Sequence, residues 1–88
     1  MTDDAAIEAE LLRQVTARGA EKSICPSEVA RALSETWQPL LGRVRAIAVR
    51  LSVEGRIEVL RKGKPVQPDE IRGVIRLRLA RTDDPTLA

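Results

Sequence analysis

Apolar residues recur along the first turns of the chain at helical spacing. Ile7, Leu11 and Val15 stand every fourth residue, and Leu12 widens the stripe. That is the signature of an amphipathic helix with one face toward a core, and it predicts a helix over Asp4–Arg18. Asp3 or Asp4 caps its start, where acidic residues also suit the positive end of the helix dipole, and Gly19 fits the left-handed position just beyond its end. Ser23-Ile24-Cys25 reads as a short first strand. A second helix opens with Cys25 as N-cap, Pro26 at the first helical position and Glu28 at the third, ahead of Val29 and Leu33. Proline fits there because its missing N–H would be unpaired anyway, and the glutamate reaches back to the N–H of the cap.

The third periodic segment is the longest. Stepping 100° per residue from Trp37 to Glu54 puts Trp37, Leu40, Leu41, Val44, Ile47, Ala48 and Leu51 on one broad face, the expected core stripe of a third helix. Pro39 and Gly42 predict an irregular start between Ser34 and Gly42. After Glu54-Gly55 the period switches from helical to two. Ile57 and Val59 alternate with Arg56 and Glu58, and Ile75, Leu77 and Leu79 alternate with Arg76 and Arg78, as two antiparallel strands with one apolar face would require. Between them Arg61–Gly73 reads as one long wing loop, with a helical turn at Pro68-Asp69-Glu70-Ile71. The expectation is a single α+β domain over residues 1–81, a winged helix-turn-helix of three helices with a small β-hairpin wing, followed by a frayed tail over 82–88.

Charge sharpens this picture through its distribution. The net charge of the 88 residues is only +2. Residues 1–36 hold four basic and seven acidic side chains, whereas residues 37–81 hold eleven basic and four acidic. The basic excess therefore falls on the third helix and the wing, where a nucleic-acid surface would lie. The face of helix 3 opposite its core stripe reads Gly42, Ala46, Val49 and Val53, flanked by Gln38 and Arg45 on one side and Arg43 and Arg50 on the other. Small residues there would let the backbone approach a major groove while Gln and Arg reach phosphates and base edges. The same strip suits a homodimer or protein-partner interface, an apolar patch rimmed by arginine. Packing of Val49 and Val53 against helix 1 or the sheet is the third reading. Lys62 and Lys64 on the wing suit phosphates, and Ser27 near the start of helix 2 is placed to donate to one.

The remaining chemistry argues by exclusion. The chain has no His, Tyr or Phe, one Trp and one Cys. Without histidine or tyrosine the commonest general base and a common acid are missing, and lone Cys25 has no histidine to activate it. No Cys/His cluster has metal-ligand spacing, and Arg61-Lys62-Gly63-Lys64 lacks the glycines of a phosphate-binding loop. An enzyme, a metal and a cofactor are therefore not expected. A lone cysteine fits a reducing compartment, and no apolar run reaches the ~20 residues of a membrane span, so the expectation is a cytoplasmic protein without membrane contact.

Ser23 through Leu33, together with Val44-Arg45, Leu51, Glu54-Gly55-Arg56-Ile57-Glu58, Lys62-Gly63-Lys64-Pro65-Val66 and Ile71 through Leu77, resemble a small bacterial family. That family carries only a domain-of-unknown-function label within the winged helix superfamily. The resemblance runs from about Ile7 to Leu79. It implies a winged helix fold, for which duplex DNA binding is the commonest use and protein–protein contact a regular second.

Overall fold

The structure, a computed structural model, describes residues 3–80. The segment 82–88, expected to be a frayed tail, lies outside the described residues. Helix α1 spans Asp4–Arg18, with the Asp3 carboxylate accepting from the Ala6 N–H at 2.9 Å. Ile7, Leu11 and Val15 are fully buried, as their spacing requires. Gly19 ends the helix with φ of +83°, a region that costs glycine nothing. Helix α2 spans Pro26–Leu33 and is capped as its sequence predicts, the Glu28 carboxylate accepting from the Cys25 N–H at 2.9 Å.

The Cys25 thiol is a weak acceptor at a position that favours a hydroxyl. Cys25→Thr is therefore expected to stabilise the domain by ~0.5–1 kcal/mol, the low end of capping effects. A melting curve reads this directly, and a lowered midpoint would reject the capping role.

The irregular start of the third helix is a 3₁₀ turn over Gln38–Leu40, and helix α3 follows over Leu41–Val53. Val44, Ile47, Ala48 and Leu51 are buried, while Trp37, Leu40 and Leu41 pack half-buried against the same core. The Arg31 guanidinium lies over the Trp37 ring, 4.7 Å from its centroid, bracing the α2–α3 junction.

The wing differs from its expected form in one respect. The chain does not run as a single long loop from Arg61 to Gly73. Strand β1 (Ile57–Arg61) turns at once into β2 (Lys64–Pro65), with Arg61 opposite Lys64. Lys62 and Gly63 both take positive φ, +55° and +82°, the mirror-image turn whose twist matches a two-residue hairpin. A 3₁₀ turn over Pro68–Glu70 follows, and β3 (Arg76–Leu79) returns on the other side of β1. The sheet is antiparallel in the order β2-β1-β3. Ile24 adds a single bridge to Leu77 in place of the expected first strand. Three helices on a small antiparallel sheet make an α+β fold compatible with a winged helix. One aliphatic core joins α1, α2, α3, β1 and β3.

Candidate nucleic-acid interface

Helix α3 carries its arginines on two flanks, and the structure treats the flanks differently. On the side toward α1, the Arg43 guanidinium pairs with the Asp4 carboxylate at 2.9 Å. Arg50 pairs with Glu8 and, at 3.0 Å, with Glu54 one turn on. Arg56 joins the same group, 3.0 Å from Glu8. Hydrogen bonding from Arg50, then from Arg56, holds the Glu8 carboxyl below its ordinary 4.5, and the same contact with Glu8 raises Arg50. A carboxylate with a lowered folded pKa stabilises the fold above its unfolded pKa and loses that contribution as pH falls through the folded value. Thermal stability is thus expected to decline on acidification below that ordinary value of 4.5, and Glu8→Gln should flatten that decline. Melts from neutral pH to pH ~3 provide the check, and an unchanged slope in the variant would remove Glu8 from the acid response.

The flank toward the wing has no such acids. Arg45 donates to the Gly73 carbonyl at 2.9 Å. It shares a cavity of about 230 Å³ with Cys25, Ser27, Leu41 and Val74. The Ser27 hydroxyl there donates to the Cys25 sulfur at 3.2 Å. A second cavity, of about 470 Å³, lies across Val74 and is lined by Arg61, Lys62 and Arg76. Arg76 is held by two bonds to Ser23, 2.7 Å to its hydroxyl and 2.9 Å to its carbonyl. Arg45, Arg61, Lys62, Lys64, Arg72 and Arg76 have no carboxylate partner within salt-bridge distance among the described residues. By contrast Arg13, Arg18 and Arg78 pair with Glu10, Glu28 and Glu58.

The candidate residues therefore divide into groups. Ser27, Arg45 and Lys62 line the two adjoining cavities, and Lys64 follows on the exposed hairpin. Gln38 is exposed on the 3₁₀ turn ahead of α3, while Arg43 and Arg50 turn away to the acids of α1. Gly42 and Ala46 are exposed, Val53 is 67% exposed and Val49 is half-buried, so the strip on α3 faces solvent and Val53 is not core. A Cβ added at Gly42 would meet nothing within 4 Å, so internal packing does not demand glycine there.

Sequence reasoning missed Arg61, Arg72, Arg76 and Val74. Lys62-Gly63 between apolar-alternating strands was the available signal, since a tight turn there carries Arg61 and Lys64 into paired strand positions. Among the described residues no helix is long and apolar enough to cross a membrane, and no three His, Cys, Asp or Glu side chains gather as metal ligands would.

No curated protein matches this chain. The α1 carboxylates, all three helices, the sheet and the six cations of the wing side fall within residues 4–80, the stretch matched by the model of the family described as Protein of unknown function (DUF3253), and the chain belongs to that family.

Proposed function

We propose that this chain is a winged helix domain that binds duplex DNA, a small transcription-associated protein acting in the cytoplasm. The observation that carries the reading is the run of six cations without acid partners along α3 and the wing, on a chain whose net charge is only +2. Charge segregated in this way favours a polyanion on one face. The exposed Gly42 and Ala46 support close approach of α3 to a major groove, with Arg45 and Gln38 beside them. Lys62 and Lys64 hold the neighbouring phosphates from the hairpin, and Ser27 donates to one from the start of α2. Arg43 and Arg50 reach phosphates only after releasing Asp4 and Glu8, so they contribute less than their position on α3 suggests.

The test is anisotropy of a labelled generic duplex titrated with the protein across salt concentrations. The expected result is micromolar or tighter binding whose log–log salt slope is roughly −3 to −5, at about 0.9 per phosphate neutralised. No binding at low salt would reject the reading. The exposed Gly42-Ala46-Val49-Val53 strip would then stand as a homodimer or partner surface.

A further inference from the structure

The geometry points to a binding site for a small organic anion, an acid group on a compact apolar body, in the fork where the wing hairpin parts from β3. The fork follows from strand register. Leu60 is paired on both sides, with Pro65 and with Arg76, but Arg61 is paired only with Lys64. Beyond Leu60 the hairpin continues with β2, while the chain leading into β3 bends away through Gly73, at φ of +72°, and Val74. The two paths enclose the cavity of about 470 Å³, within the range of small-molecule sites.

Its lining combines the two features such a ligand requires. Arg61, Lys62 and Arg76 supply three cations, and no acid lines the cavity. Arg76 is pre-oriented by Ser23, through its Nε and Nη2, which leaves Nη1 without a hydrogen bond among the described residues. A guanidinium already fixed in place loses little freedom on taking a carboxylate or phosphate oxygen. Leu60 and Val74 supply the apolar wall, and Val74 is 85% exposed at the mouth, so a ligand body laid on it removes aliphatic surface from water. The site needs no DNA to form, although the proposed nucleic-acid face shares its cations.

Amide shifts of the labelled protein, followed at constant ionic strength, test the inference with benzoate, phenyl phosphate and the neutral benzamide as probes. The two anions are expected to shift the amides of Ser23, residues 60–63 and residues 74–76 saturably, and their relative affinities tell a carboxylate site from a phosphate site. Benzamide should leave those amides unmoved. Val74→Asp places an acid at the mouth of the cavity on an exposed position, so the domain stays folded, and it should weaken the anions at least about tenfold, as like charge at a desolvated contact requires. Lys62→Asn, which tolerates the positive φ, should weaken them as well. Equal response to benzamide, shifts spread without saturation, or full affinity in Val74→Asp would each overturn the inference. Duplex DNA bound while both anions fail would overturn it too and leave the DNA reading intact. The anions bound while DNA fails would reject only the DNA reading.

Discussion

Leu77→Ala is expected to cost about 2–5 kcal/mol of unfolding free energy, the range for emptying a buried leucine site. A domain of this size has only ~4–13 kcal/mol to lose, so the variant sits near the edge of folding. Leu77 is fully buried in the middle of β3 and faces Val59 across the ladder. Its backbone also holds Ile24, donating to it at 2.7 Å and accepting from it at 2.8 Å. A cavity there opens between α1 and the sheet, and the fixed bridge limits its collapse. Val74→Ala, three residues earlier on exposed backbone, should stay within about 0.5 kcal/mol. Urea unfolding followed by circular dichroism distinguishes the two, with the midpoint moving and the slope unchanged. Equal midpoints for both variants would mean that β3 does not close the core.

The second large effect concerns DNA. Arg45→Ala with Lys62→Asn is expected to weaken duplex binding by ~2–6 kcal/mol, taking ~1–3 kcal/mol per good contact. The salt slope should fall by about 0.9 for each phosphate contact removed. Arg43→Ala with Arg50→Ala removes the same formal charge, all of it from α3, yet its effect on affinity should be smaller. Those two guanidinium groups already neutralise Asp4, Glu8 and Glu54, so the field they present to a polyanion is partly cancelled. Their loss should appear instead as altered acid stability, because Glu8 keeps only Arg56. Equal losses of affinity from the two double variants would show that the α1 carboxylates do not restrain the arginines of α3.

The helices were legible because local chemistry and tertiary burial agree in them. The bounds of α1 follow from its four-residue apolar spacing and the Asp3 cap, and those of α2 from Pro26 and Glu28. Pro39 and Gly42 announce the broken entry to α3. The wing was half legible. Alternation locates β1 and β3 and Gly63 marks a turn, but a tight two-residue turn there also needs Lys62 in a left-handed conformation, which lysine does not favour. The division of the α3 arginines was legible only in part. A helical wheel sets Arg45 on one flank and Arg43 and Arg50 on the other, but only the crossing of α1 over α3 decides which flank meets carboxylates. The basic half of the sequence thus overstates how much of α3 is available to a polyanion and understates the share of the wing.

The pairing of Ile24 with Leu77 also has a consequence during synthesis. β3 packs on both β1 and α1, so the last strand among the described residues completes a core begun by α1. A nascent chain holding α1, α2, α3 and β1 still lacks the strand that covers Ile57 and Val59, and long-range closure of this kind comes late in folding. The domain is therefore expected to fold in one step as β3 clears the ribosome, and until then its aliphatic face is open to capture by chaperones.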